Sequence, residues 1–334
     1  IGQETVLFRH QEKFHHPTGI ALKVKDDLAE KELVNQIEAI NNLHFVRVGE
    51  EIGVDLIAVE HSSTSPQGYA EVVKKVKEMS DLPLVLLSPD PKTTEAGLEV
   101  SAERSPLIYT ATGKNWQQMA PLAKKYGCPL AVKGESLQEL ADLTQQIKKL
   151  GVDDLVLSVE SPRVAETLQG LTQIRRLTLG KTFRPLGYPT ITFVTEKDSF
   201  QQVAQVTTYI CKYGSIVVME GTEPWKILPL LTVRQNIYTD PQVPNAVEAK
   251  LYEIGEVTSH SPVIVTTNFS LTYFTVQGEV ENSKIPSYIS VVETEGLGVL
   301  NAYAGDKWSA ERIGKTLEEQ KVKERINHNS VIIP

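Results

Sequence analysis

Pro129-Leu-Ala-Val-Lys133, a turn through Gly134, and Leu137-Gln-Glu-Leu-Ala-Asp-Leu-Thr-Gln-Gln-Ile-Lys-Lys-Leu150 form the stretch on which the fold is decided. The first part is an apolar run without strict alternation, the pattern of a strand buried on both faces and hence of a parallel sheet. In the second part Leu137, Leu140, Leu143, Ile147 and Leu150 recur at three- and four-residue intervals, the period of an amphipathic helix. Together they make one strand–helix unit.

The unit recurs along the chain. Further apolar, β-rich runs begin near Ile20, Asp55, Leu82, Pro106, Asp154, Tyr188 and Ser215. Amphipathic segments such as Leu28–Leu43, Tyr69–Met79, Trp116–Tyr126, Val164–Ile174 and Phe200–Tyr213 lie between them. Eight units in about 220 residues match the count and length of a (β/α)8 TIM barrel. A doubly wound open sheet is the competing arrangement, but it rarely uses eight uniform units. The expected fold class is therefore α/β, with a lead-in over residues 1–18 and a TIM barrel over 19–238, closed by an eighth helix from Pro224.

Thr239-Asp-Pro-Gln-Val-Pro-Asn245 is rich in turn formers and opens a linker expected over 239–261. Beyond it the pattern changes. Pro262-Val-Ile-Val-Thr-Thr-Asn268 reads as a buried strand, Ser270 as a helix N-cap, and Tyr288–Val292 as a second strand. Ser330-Val-Ile-Ile-Pro334 reads as the start of a third. Residues 262–334 thus read as a Rossmann-like (flavodoxin-like) domain. Truncation is expected at both ends, because the sequence stops within a β-type run and opens Ile1-Gly-Gln-Glu without a methionine.

Composition excludes several functions. With 42 acidic and 34 basic residues the net charge is −8; nucleic-acid phosphates would be repelled, and no basic cluster offsets this. No apolar run approaches the roughly 18 residues needed to span a bilayer, and no signal peptide is evident, so a cytoplasmic protein without a membrane partner is expected. Cys128 and Cys211 are the only cysteines, too few for a disulfide framework or a zinc site, and both read as small buried apolar residues. His15 and His16 lack a third ligand and read as solvated loop histidines.

In a TIM barrel the functional face is formed by the strand carboxyl ends. There the sequence places Glu60-His61-Ser62, Ser88-Pro89-Asp90, Lys133-Gly-Glu135, Glu160-Ser161 and Glu220-Gly221. An enzyme would draw acid and base groups from His61, Asp90, Lys133 and Glu160, yet a polar, solvated mouth is common to all barrels, and no phosphate-cradling glycine loop follows strand seven or eight. The second candidate place is the turn Thr294-Glu-Gly-Leu-Gly298 after the Ile289–Val292 run. A turn at the carboxyl end of a strand leaves backbone donors in a crevice, and glycines let a flat ligand approach the backbone.

The order of these parts, together with Thr266-Thr-Asn-Phe-Ser-Leu-Thr-Tyr-Phe274, Thr294-Glu-Gly-Leu-Gly-Val-Leu-Asn-Ala-Tyr-Ala-Gly305 and the lead-in Glu4-Thr-Val-Leu-Phe-Arg-His10, resembles the large (gamma) subunits of the corrinoid/iron–sulfur protein of the anaerobic acetyl-CoA pathway. The resemblance spans essentially the whole chain. It implies a barrel followed by a corrinoid-binding domain, and a carrier that takes a methyl group from methyltetrahydrofolate, through its methyltransferase, and delivers it to the nickel site of acetyl-CoA synthase. Implied partners are a small barrel subunit in a heterodimer, that methyltransferase, acetyl-CoA synthase and a reductive activator. Family members carry a [4Fe–4S] cluster on four N-terminal cysteines, which these residues lack, so the cluster is expected only in a missing N-terminal domain.

Carried over by motif, Thr266, Asn268 and Thr272 would face the corrin amides or nucleotide tail. Thr294, Glu295 and Gly296 would lie under the lower face, and Gly296, Leu297, Gly298 and Val299 would pack against the macrocycle. None of the seven histidines lies in an Asp-x-His-x-x-Gly pattern. The corrinoid is therefore expected base-off, with no protein ligand to cobalt and no acid–base side chain. The rival is a pterin-binding barrel methyltransferase using Asp90, Asn115 or Glu160; fold alone does not separate the two.

Overall fold

The computed structural model describes residues 4–334; the first three residues of the expected lead-in lie outside them. The chain divides into two compact units, one of residues 1–45 and 52–238, the other of Val46–Glu51 and Thr239–Pro334.

In the first unit β1 (Gly19–Lys25) and α1 (Glu30–Asn41) come first; the chain then forms a hairpin, β2 (His44–Arg47) and β3 (Glu50–Gly53), whose tip Val46–Glu51 belongs to the second unit. Strand–helix pairs follow: β4 (Leu56–Glu60) and α2 (Pro66–Met79), β5 (Leu84–Leu87) and α3 (Pro91–Ser101), β6 (Leu107–Ala111) and α4 (Trp116–Tyr126). After them come β7 (Leu130–Lys133) and α5 (Leu137–Lys149), β8 (Leu155–Ser158) and α6 (Val164–Arg175), β9 (Thr190–Phe193) and α7 (Ser199–Cys211), β10 (Ile216–Met219) and α8 (Pro224–Tyr238). Eight of the strands close into a ring in the order β1-β10-β9-β8-β7-β6-β5-β4, all parallel, with Leu22 opposite both Met219 and Ile57. The expected barrel is present.

Alternate positions explain its two cores. Ala21, Ala58, Val85, Ala131, Ile191 and Val218 point into the ring, where small and branched side chains fit. Ile20, Leu22, Ile57 and Leu86 point outward and meet helix residues such as Leu140, Leu143 and Ile147 of α5. Each fully buried leucine or isoleucine there contributes about 1.5–3 kcal/mol. Helix starts are fixed by side-chain caps: Ser65, Asp90, Ser136 and Asp198 accept from first-turn N–H groups of α2, α3, α5 and α7. The hairpin was not foreseen; its turn, Val48-Gly49, has both φ angles positive (52° and 73°), as a two-residue type I′ turn requires.

The second unit holds a three-stranded sheet of β11 (Leu251–Ile254), β12 (Val263–Thr267) and β13 (Ser287–Val292) in the order β11-β13-β12. β12 runs parallel to β13, and β11 runs antiparallel to it. Four helices accompany the sheet: α9 (Ser270–Ser283), α10 (Val299–Ala304), α11 (Ala310–Glu319) and α12 (Val322–Arg325). Tyr273 and Val280 of α9 pack on Ile289 and Val291. Ala302, Trp308 and Ile313 pack on Val265 and Val292. Neighbouring residues of β13 thus face different helices, so both faces are covered.

Several details differ from expectation. β11 lies inside the stretch read as linker, because a four-residue edge strand gives little signal beside so many turn formers. The expected third parallel strand is a single bridge, Ile264 with Ile332. Ser270 begins α9 rather than capping it: Phe269 holds the cap position, and the Ser270 N–H donates to the Asn245 carbonyl at 2.9 Å. Cys128 is buried, but Cys211, at the end of α7, is exposed.

Candidate functional site

At the barrel mouth the acid–base candidates occur in local bonds. His61 Nδ1 lies 2.8 Å from Asp26 Oδ2, with its ring edge-on to Tyr69. Asp26 also accepts from the Ser62 and Ser63 N–H groups and from the Ser63 hydroxyl. Burial opposes its ionisation, but these donors outweigh burial and hold the carboxyl below its usual value. Asp90 caps α3 by accepting from the Thr93 N–H and hydroxyl. Lys133 is ion-paired with Glu160, which accepts from the Tyr109 hydroxyl at 3.1 Å. Burial, and then the Glu160 charge, push that hydroxyl far above its usual value, so it remains a donor. Asn115 Oδ1 accepts from the Thr112 N–H and hydroxyl, and its Nδ2 donates to the Pro89 and Thr110 carbonyls. No capacity of that amide is left for a ligand.

Sequence reasoning passed over Lys23 and Asp26, although Lys23-Val-Lys-Asp26 stands at the carboxyl end of the first strand. Lys23 Nζ lies 3.2 Å from Glu60 and 2.7 Å from Glu220. Burial lowers its pKa, but the hydrogen bond to Glu220 and the two carboxylate charges outweigh that and leave it raised. A cleft of about 300 Å³ remains beside it, floored by Phe193, Val218 and Met219.

In the second unit the carboxyl ends of β12 and β13 bring most of the motif residues together around Asn268. Its Oδ1 accepts from the Thr294 N–H at 3.1 Å, the Thr294 hydroxyl at 2.8 Å and the Gly296 N–H at 2.9 Å. Its Nδ2 donates to Glu293 Oε1 at 2.9 Å, which also accepts from the Glu295 N–H. The Thr294 hydroxyl lies 2.9 Å from the Leu297 carbonyl as well, and Thr294 is fully buried. Glu295 and Gly296 are both left-handed, at φ 56° and 70°, and Lys307 is ion-paired with Glu295.

Gly298 sits over α9. A Cβ there would lie 3.4 Å from the Phe269 ring and 3.9 Å from Thr272 Oγ1, so Thr272 belongs to the same place. The Thr266 and Thr267 hydroxyls are buried without a hydrogen-bond partner. Leu271 lies in the first turn of α9, and Leu300 and Tyr303 lie on α10; all three are exposed, at 47%, 83% and 71%. Sequence reasoning did not single out Glu293 or these three, and no motif marks an exposed leucine.

The unit's histidines are at the other end of β12. His328 Nε2 bonds the Ser261 carbonyl and His260 lies beside Asn327, so about five residues of strand, roughly 17 Å, separate them from the turn. Among the described residues no group of three or more histidine, cysteine or acidic side chains is arranged to hold a metal ion. Half-exposed Leu297, Gly298 and Val299 and the exposed Leu271, Leu300 and Tyr303, with two buried, unpaired hydroxyls at the end of β12, make a setting for a flat ligand that brings its own chemistry. These residues fit a corrinoid.

The whole chain, residues 1–334, matches the family described as CO dehydrogenase/acetyl-CoA synthase delta subunit. It is 45% identical over 334 residues to the corrinoid/iron-sulfur protein large subunit of Moorella thermoacetica, covering 100% of this chain and 75% of that protein. It is 34% identical over 347 residues to the acetyl-CoA decarbonylase/synthase complex subunit gamma of Methanothermobacter thermautotrophicus, covering 100% of this chain and 76% of that protein. The crystal structure of dihydropteroate synthase from Thermus thermophilus in complex with 6HMPPP aligns with a TM-score of 0.50 and 14% identity, over 72% of this chain and 100% of that one. At that identity the likeness is one of fold.

Proposed function

The chain belongs to the family of the corrinoid/iron-sulfur protein large subunit and the acetyl-CoA decarbonylase/synthase gamma subunits, and from that premise we propose that it is a corrinoid-dependent methyl carrier whose cofactor rests on the Thr294–Val299 turn. One observation carries the reading: Thr294 and Gly296 bond inward to Asn268, while half-exposed Leu297, Gly298 and Val299 and the exposed Leu271, Leu300 and Tyr303 of the adjoining helices present an apolar face beside Glu293 and Glu295. Bound there, the corrinoid would supply the cobalt that takes a methyl group from methyltetrahydrofolate, through its methyltransferase, and gives it to the nickel site of acetyl-CoA synthase.

The chain's own residues have binding and positioning roles. Half-exposed Gly298 admits the macrocycle close to the backbone, and Gly296 lets the turn adopt its left-handed shape against Pro244. Leu271, Leu300 and Tyr303 exclude water around it. Half-exposed Thr272, with the buried, unpaired hydroxyls of Thr266 and Thr267 beneath it, is suited to its amides or nucleotide tail. The Thr294 hydroxyl is held by Leu297 and Asn268, and His260 and His328 lie at the far end of the strand, so the lower face meets no strong donor. A base-off corrinoid without a protein ligand follows, and ligand identity is a main lever on a cofactor's potential.

Residues 239–334, with β11 included, act in this reading as a Rossmann-like corrinoid domain and 19–238 as a barrel. A heterodimer with a small subunit, exchange with the methyltransferase and acetyl-CoA synthase, and a reductive activator complete the assembly, which acts in the cytoplasm. A [4Fe–4S] cluster needs four ligands and is assigned to the N-terminal cysteine domain expected of the family. No helix among the described residues is long and apolar enough to cross a membrane.

The pterin-methyltransferase reading is disfavoured by the mouth: the Asn115 amide is saturated and Asp90 is a helix cap. Equilibrium dialysis separates the two. The carrier takes up hydroxocobalamin, becomes coloured, and does not bind methyltetrahydrofolate by itself. A colourless protein that retains methyltetrahydrofolate would overturn the proposal.

A further inference from the structure

We infer that Asn268 is the positioning residue of this turn and that it ties the linker to the turn as well. The identity of the ligand is taken from the carrier reading above; the bonds are the chain's own.

The side chain acts first. If the Thr294 hydroxyl proton goes to the Leu297 carbonyl, the two N–H groups of Thr294 and Gly296 fill the acceptor positions of Asn268 Oδ1. Those bonds hold Glu295 and Gly296 in left-handed conformations, which a non-glycine residue such as Glu295 adopts only at a cost of about 1–2 kcal/mol. Nδ2 fixes the amide's orientation through Glu293. Asn268 is 2% exposed, so it acts on the cofactor through the turn and not by touching it.

The backbone acts second. The Asn268 N–H donates to the Val292 carbonyl and ties the ends of β12 and β13 together. Its carbonyl accepts from the Val247 N–H at 2.9 Å. Beside it the Ser270 N–H donates to Asn245, and Ala246 bridges Phe269. A Cβ on Gly296 would lie 2.8 Å from Pro244 Cβ, so the linker packs directly on the turn's glycine. One residue therefore joins the strand ends, the turn and residues 244–247. A displacement of that linker segment is transmitted to Glu295 and Gly296.

The test is amide hydrogen exchange on the whole chain, with and without cobalamin. Asn268→Ala should speed exchange about tenfold or more over 293–299, with 244–248 following by a similar factor and the barrel strands unchanged. The absorption spectrum of the loaded variant should differ from that of the loaded parent. Asn268→Asp keeps the acceptor but sets a carboxylate against Glu293, and adding Glu293→Gln should return both segments toward parental exchange. That pair carries the test if the alanine variant does not fold. Unchanged exchange at 293–299, or opening there without 244–248, would overturn the inference. A parent that takes up no corrinoid would remove the carrier reading while the exchange results still decide the role of Asn268.

Discussion

The barrel mouth and the turn after β13 both stand at strand carboxyl ends, yet they treat polar groups in opposite ways. Across the mouth, Lys23 meets Glu60 and Glu220 and Lys133 meets Glu160, each charge balanced by a neighbour on an adjacent strand or loop, and His61 is hydrogen-bonded to Asp26. In the turn the bonds fold back on Asn268, and Leu300 and Tyr303 of the adjoining helix face outward beside Glu293 and Glu295. The difference separates two kinds of site. Acid–base catalysis needs an ionisable group free to exchange a proton, whereas a cofactor carrier needs shape and dryness.

Gly296→Val attacks the turn most directly. It places a β-branched residue at φ 70° against Pro244 and should cost the second unit about 2–4 kcal/mol. Corrinoid retention on gel filtration should be lost while thermal unfolding of the barrel is unchanged; retention as in the parent would mean that the ligand lies elsewhere. Asp26→Ala is the corresponding lesion at the mouth. It strands the N–H groups of Ser62 and Ser63, should cost about 2–3 kcal/mol by urea unfolding, and should leave corrinoid uptake intact.

The same aspartate sets a pH dependence. Its folded pKa lies below the ordinary 3.8, so its contribution is fully present above that value and is lost as pH falls through the lower folded one. Melting temperatures from about pH 6 to 2 should show an acid-side loss that is shallower in Asp26→Asn. A smaller effect is expected of Lys23→Met combined with Glu220→Gln, about 1 kcal/mol or less, with corrinoid uptake unaltered. Loss of uptake in that double variant would move the site to the barrel. Thr294→Val removes one hydroxyl bond, about 1 kcal/mol, and should leave the bound corrinoid's spectrum without a nitrogen-ligated form.

Legibility differed between the two regions for the same physical reason. The barrel announced itself because runs such as Leu130–Lys133 and the Leu140–Ile147 stripe repeat one burial pattern eight times, and a closed ring is how eight parallel units cover every edge. In the smaller unit β12 and β13 were legible as apolar runs, but β11 was not, since Leu251-Tyr-Glu-Ile254 is a half-exposed edge. The glycines of the turn were visible as residues. Their setting was not, because the bonds from Asn268 to Thr294 and Gly296 join positions 26 and 28 apart in sequence. At the mouth the polar residues could be read, but not their pairing: Lys23 and Glu220 lie at opposite ends of the barrel sequence and meet only because β1 and β10 close the ring.

The central claim, that the turn cradles cobalt without giving it a nitrogen, is tested most directly by the absorption spectrum of cobalamin bound to the protein. A base-off spectrum that shifts on reduction and disappears with Gly296→Val is the predicted result. A spectrum of nitrogen-ligated cobalt, or a base-off spectrum indifferent to Gly296, would contradict it.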